Sequence, residues 1–228
     1  MIQEFQIQNF FSIREKQTLS FLPTNDDKMR NQYLYEVAEG VELLKIGIVY
    51  GSNASGKTTL LDALAFFRRT MLDKPENKNT GMGYVPFLLD NHSRKEHSSM
   101  QMIFWLNREK YVLSLEFDEK RIYEEMLMVY TSSRPTKLYS RSYQQETDHS
   151  EVTFGSKSGI NKATQRAIAG NTTNNCTVMA AFGQPNATTP RLNIVAEFFY
   201  SGMRDTLSPR TSLTFNVKDE LRHDKDGR

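Results

Sequence analysis

The residues with the most definite chemistry lie in the stretch GIVYGSNASGKTTLLDAL, Gly47 to Leu64. Within it, Gly51-Ser52-Asn53-Ala54-Ser55-Gly56-Lys57-Thr58 fits G-x-x-x-x-G-K-[ST] at every fixed position. Glycine at 51 and 56 permits backbone angles and a close approach that a side chain would block. Successive backbone N–H groups can then wrap a phosphate as an anion nest, with the positive end of the following helix aimed at the same charge. Lys57 would reach the outer phosphates, and the Thr58 hydroxyl would complete a Mg²⁺ shell, with Thr59 beside it. The bare pattern arises by chance in about one chain of this length in a hundred. The alternative is a plain glycine-rich β–α turn.

A grip on phosphate is not yet hydrolysis, which needs a carboxylate to hold the metal and usually one to polarise water. The nearest candidates are Asp118 and Glu119, at the end of VLSLEFDE. That strand alternates, and Lys120 and Arg121 follow at once, so the pair reads as a hairpin turn. Glu124 and Glu125 fall in mid-strand, a poor geometry for a metal site.

These residues must be positioned by the elements around them. IQEFQIQNFFSI alternates and predicts a half-buried strand ending near Asn9, and QTLSFL predicts a second. Residues 24–32 read as a polar loop. Glu42 to Tyr50, ELLKIGIVY, is nearly continuous in apolar residues and predicts a strand buried on both faces in a parallel sheet. After the loop, Leu60, Leu64, Phe67 and Met71 recur at helical spacing. The helix should end where Pro75 and two glycines follow. SMQMIFWLN, KYVLSLEFD and RIYEEMLMVY then predict an antiparallel meander, with TKLYSR and EVTF as two further short strands. Residues 155–175 are polar and small and predict a loop with a short helix around 163–169. Thr189-Pro190 predicts a helix start, with a capping hydroxyl and proline at the first helical position. Leu192, Val195, Ala196, Phe199 and Met203 form its apolar stripe. SLTFNV (212–217) reads as a last strand before a solvated tail.

The chain has 228 residues, a net charge of +2 and one cysteine. Near charge balance, the total does not advertise nucleic-acid binding. The lone Cys176 excludes an internal disulfide framework and reads as an inert buried thiol in a reducing cytoplasm. The four histidines show no metal-ligand spacing and are assigned to solvent. No run is long and apolar enough to span a membrane, and the N-terminus lacks the pattern of a secretory signal.

Taken together, IQNFFSI, the loop GSNASGKTTLLDAL and the meander segments YVPFLLD, YVLSLEFD and IYEEML resemble the N-terminal half of an ABC-type ATPase head. The closest branch is the RecF/SMC/OLD-like group of bacterial ATPases, many of which serve in phage defence or DNA transactions. The resemblance is clearest over residues 1 to about 130. It implies an α/β fold: a P-loop NTPase core with an added antiparallel β-meander lobe, incomplete at its C-terminus. Within a single head (1–228), residues 1–75 would hold the first strands, loop and helix, 80–155 the antiparallel lobe, and 176–228 a helical segment and polar tail. The resemblance further implies ATP and Mg²⁺ as cofactors, bound by Gly51, Ser52, Asn53, Ala54, Ser55, Gly56, Lys57, Thr58 and Thr59. Gln184 is the best match to a glutamine that senses Mg²⁺ and the γ-phosphate, and Ile13 and Arg14 would approach the base. The signature motif, Asp-Glu carboxylates and switch histidine of such heads are not found, so the chain reads as half of an engine. Its expected partner is a second head, from the same protein or its missing C-terminal half, with a nuclease or other effector, or nucleic acid, as further candidates and no membrane. Two other readings stay open: a small P-loop kinase, and a nucleotide-dependent interaction module without enzymatic activity.

Overall fold

A computed structural model of the chain describes residues 1–25, 29–132, 134–183 and 189–204. SLTFNV and the tail lie outside the described residues.

The architecture is mixed α/β, dominated by a seven-stranded antiparallel sheet in the order β2-β1-β5-β6-β7-β8-β9. Its strands are β1 (Ile2–Gln8), β2 (Gln17–Ser20), β5 (Ser98–Leu106), β6 (Glu109–Phe117), β7 (Ile122–Tyr130), β8 (Pro135–Gln144) and β9 (His149–Phe154). The predicted meander is therefore present, and β1 pairs with its first strand. Tyr111, Leu113, Leu115 and Phe117 alternate inward and are all buried. A register shift between Ile2 and Glu4 on β1 accounts for inward residues three apart at its start. A separate pair, β3 (Leu34–Ala38) and β4 (Val41–Leu44), follows a single helical turn, α1 (Arg30–Tyr33), where the sequence reads as loop.

Helix α2 (Lys57–Leu72) lies against the large sheet and buries Ala63, Phe66, Phe67 and Met71, while Leu60 and Leu64 pack at its margin. Each buried large side chain contributes about 1.5–3 kcal/mol of transfer free energy. The helix ends at Asp73, whose N–H bonds to Arg69 O, ahead of Pro75. Two short helices follow the sheet, α3 (Lys162–Asn171) and α4 (Val178–Phe182). Each has a true side-chain cap: Asn161 Oδ1 accepts from Thr164 N–H, and Thr177 Oγ1 accepts from Ala180 N–H. The last helix among the described residues, α5 (Pro190–Glu197), runs into a π-helical turn, Phe198–Gly202. Proline stands at its first position as predicted, but the Thr189 hydroxyl donates to Asn193 Oδ1 and caps no helix N–H. Thr189 has φ −129° and ψ 72°, off the usual cap conformation.

The second departure concerns the run before the phosphate loop. Only Val41–Leu44 is strand, paired antiparallel with β3, and residues 46–50 belong to no strand. Ile48 is 81 % and Tyr50 90 % exposed, rather than buried on both faces. A parallel strand needs hydrogen-bonded neighbours and a helix on each face. Here β1 and β5 pair with each other, and among the described residues no strand pairs with residues 46–50.

One buried polar cluster fastens the helices to the sheet. Arg141 on β8 is 1 % exposed and donates to Cys176 O at 3.0 Å, Asn174 O at 2.7 Å, Thr173 O at 3.1 Å and Ser150 Oγ at 2.7 Å. Glu125 on β7 accepts from Tyr139 OH and from Val178 N–H, both at 2.8 Å. Burial pushes the Glu125 carboxyl up, while the charge of Arg141 acts in the opposite direction. Arg141→Met would strand three carbonyls and leave Glu125 without its compensating charge. It should cost about 3–5 kcal/mol in urea unfolding. Cys176 is buried, as the sequence suggests, and burial pushes its thiol up to about 11. The folded protein should not react with a thiol reagent at neutral pH, whereas urea should release one reactive thiol per chain.

Candidate functional site

The candidate phosphate loop bridges residues 46–50 and α2. Gly56 caps the helix with φ +88°, a conformation that a side chain rarely adopts, and Ala54 has φ +63°. A Cβ on Gly51 would stand 2.8 Å from Ser55 Oγ, so the loop is tight around its own side chains. Lys57 folds back over it: Nζ donates to Gly51 O at 2.9 Å and Ser52 O at 2.6 Å. Ser52, Asn53 and Thr58 are exposed, and Thr59 is half-buried.

Thr59 Oγ1 lies 2.7 Å from Ser12 Oγ, across 47 residues of sequence. Ser12 stands in the turn that follows β1, and that turn is the opposite wall of a cavity of about 630 Å³. Ser12, Ile13 and Arg14 line it on one side, and Ala54, Gly56 and Lys57 on the other, with Tyr50 at its margin. A volume of this size is in the usual range for small-molecule sites. The structure places Ile13 and Arg14 on the wall of the cavity that the loop also lines. Gln184 lies outside the described residues.

The carboxylates fall elsewhere. Asp118 Oδ1 accepts from Lys120 N–H at 2.7 Å and Arg121 N–H at 2.8 Å, and Oδ2 accepts from Tyr123 OH at 2.8 Å. It is a turn-closing residue, as its sequence context indicates. Glu124 is exposed, and Glu125 is spent on the buried cluster. None of these lines the cavity; the carboxylate on its wall is Glu15, paired with Arg14 at 3.4 Å. Among the described residues no group of three or more His, Cys, Asp or Glu is placed to hold a metal ion, and no helix is long and apolar enough to cross a membrane. Of the histidines, His97 is not idle: its ring stacks on Tyr123 at 3.7 Å and hydrogen-bonds Glu116.

Sequence reading located the loop and missed Asn9, Ser12 and Glu15. These owe their place to the fold of the turn after β1, and no periodicity marks a turn residue as a neighbour of a helix 47 positions away.

Residues 47–157 match the profile of the family described as AAA domain, putative AbiEii toxin, Type IV TA system. No curated protein matches the chain. The family match bears out the resemblance to AAA/ABC-like P-loop ATPase heads of the RecF/OLD-like group, and with it a nucleotide-binding, ATPase-type function.

Gly56→Ala should cost about 1–2 kcal/mol in urea unfolding, because it forces a side chain into a left-handed conformation. A cost near zero would mean that the loop relaxes to another conformation.

Proposed function

We propose that this chain is the nucleotide-gripping half of an ABC-type ATPase head, holding ATP with Mg²⁺ at residues 51–59. The observation that carries the reading is a glycine-shaped loop that fits the phosphate-binding pattern throughout, with Gly56 at φ +88° opening a 16-residue helix beside a cavity of about 630 Å³. The loop fits a polyphosphate because a side chain at Gly51 or Gly56 would fill or strain the cradle. Loop N–H groups and the first turn of α2 would hold the phosphates, and Lys57 would exchange its bonds to Gly51 O and Ser52 O for phosphate oxygens. Thr58 would supply a hydroxyl to the metal, with Gln184 as a second ligand. Bound Mg²⁺ would neutralise the charge that grows on the phosphates during transfer.

Hydrolysis would be completed by a second polypeptide or a further segment. Ile46, Ile48, Val49 and Tyr50 are all at least half exposed, which supports docking of further strands alongside them. The placement of Asp118, Glu124 and Glu125 away from the cavity supports a water-polarising carboxylate from outside the described residues. A head-to-head partner would supply it, and a nuclease or another effector would couple turnover to defence or to DNA transactions.

Lys57→Ala should abolish ATP binding in equilibrium titration without changing the urea midpoint. Thr58→Ala should retain nucleotide but lose the strengthening by Mg²⁺. The chain alone should turn over ATP negligibly; steady Mg²⁺-dependent hydrolysis by the purified monomer would sink the two-part reading.

A further inference from the structure

The turn after β1 is built to deliver one hydroxyl to the phosphate loop. Phe10 and Ile13 close it with paired backbone bonds of 2.8 Å each, and Asn9 N–H bonds to Arg14 O at 3.1 Å. Asn9 and Phe11 both have positive φ, 55° and 49°. For a bulky residue such as Phe11 this conformation persists only where the surroundings impose it. Those surroundings come from a distant segment, residues 85–98. Asn9 is 2 % exposed, and its side-chain amide donates to Ser93 O at 2.8 Å and Glu96 O at 3.0 Å and accepts from Phe87 N–H at 2.9 Å. Ser98 Oγ donates to its carbonyl, and Phe11 N–H bonds to Val85 O at 3.0 Å. Arg14 is paired with Asp90 at 3.1 Å, and Asp90 is itself held by Ser93 and His92. Phe10, fully buried between Phe66 and Tyr84, pins the turn to α2 from below.

What this apparatus holds still is exposed: Ser12, whose Oγ sits 2.7 Å from Thr59 Oγ1 on the first turn of α2. Two hydroxyls at that distance share one proton between them. Whichever one accepts keeps its own proton, so the pair presents one free O–H donor. Around it stand Lys57, the N-terminal turn of α2 and the cavity. A donor in that company suits an anionic oxygen.

We propose that Ser12 is a nucleotide-contacting residue, donating through the Ser12–Thr59 pair to a phosphate oxygen of the bound triphosphate, and that Asn9 is its positioning residue. The inference rests on the reading of residues 51–59 as the nucleotide site. It adds a contact from a second element, so that the grip on the phosphates depends on the sheet as well as on the loop.

The test is a titration with a fluorescent ATP analogue in Mg²⁺, alongside urea unfolding of each variant. Ser12→Ala is an exposed change and should leave the urea midpoint in place while weakening binding roughly five- to tenfold, the usual worth of one hydrogen bond. Asn9→Gly keeps the positive φ without strain but removes the amide, and should weaken binding by a similar factor. In a Ser12→Ala background it should weaken binding no further, because its effect travels through Ser12. Should Asn9→Gly fail to fold, Ser98→Ala removes the hydroxyl that holds the Asn9 carbonyl, away from the cavity, and should show the same dependence on Ser12. Unchanged binding by Ser12→Ala, or an equal loss from Asn9→Gly in both backgrounds, overturns the inference. Lys57→Ala separates the two levels. If it binds as wild type does, or if wild type binds nothing, the nucleotide site itself is misassigned. If it loses binding while Ser12→Ala does not, only the role of Ser12 falls.

Discussion

The site depends on one aromatic seam. Phe66 and Phe67, adjacent on α2, face two parts of the sheet at once. Phe67 meets Phe5 of β1 edge to face at 5.5 Å, and Phe66 lies 5.3 Å from both Phe117 of β6 and Phe10 of the turn after β1. Tyr84 fills the angle between Phe10, Phe66 and Phe117. Such pairs are worth about 0.5–1.5 kcal/mol each beyond the area they bury. Their geometric effect matters more. They fix the height and rotation of α2 on the sheet, and so the place of its N-terminus, where the phosphate loop ends. The same rings hold the base of the turn that carries Ser12. Both walls of the cavity are thus referred to one packed core.

The opposite end of the helix is tied by polar means. Arg68 donates to the carbonyls of Phe199 and Met203, at 3.0 and 2.6 Å, and so binds the π-helical turn to α2. Thr177 donates to Thr70 O at 2.8 Å, bringing the start of α4 to the same helix. Arg141 and Glu125 then hold residues 173–178 to the sheet from beneath. Buried charges are weak evidence of net stability, since desolvation offsets much of what they gain. Their directionality is the useful property here. They hold irregular backbone in place where apolar packing, which has no preferred direction, would let it slide.

Much of this was legible in the sequence. Alternation in 98–117 and 122–130 could only be an antiparallel meander, because polar turns of two to four residues leave no room for crossovers. The stripe through Phe67 and Met71 gave the face of α2, and the fixed residues of the loop marked the candidate site. The run 42–50 misled because apolar continuity reports a demand for burial, not its fulfilment. The strand needs neighbours, and among the described residues no strand pairs with residues 46–50. Asn9 and Ser12 were illegible for a different reason. Their importance lies in a positive φ and in hydrogen bonds to residues about 50 and 80 positions away, which composition and period do not record.

If residues 51–59 hold ATP as proposed, grip and chemistry separate for a physical reason. Backbone N–H groups, a helix N-terminus and a lysine are all local to residues 51–59, so a short stretch can assemble a phosphate cradle once α2 is docked. Hydrolysis needs, in addition, a carboxylate to hold the metal or to polarise water. On this sheet two of the candidate carboxylates are committed. Asp118 closes a turn, and Glu125 receives the N-terminus of α4. Residues 46–50, meanwhile, present an apolar surface beside the loop. Burial of those side chains by incoming strands would be favourable by about 25 cal/mol per Å² of apolar surface. A strand docked there would lie beside the loop. On the proposed reading, such docking would join assembly to catalytic competence through an apolar surface that the described residues leave uncovered.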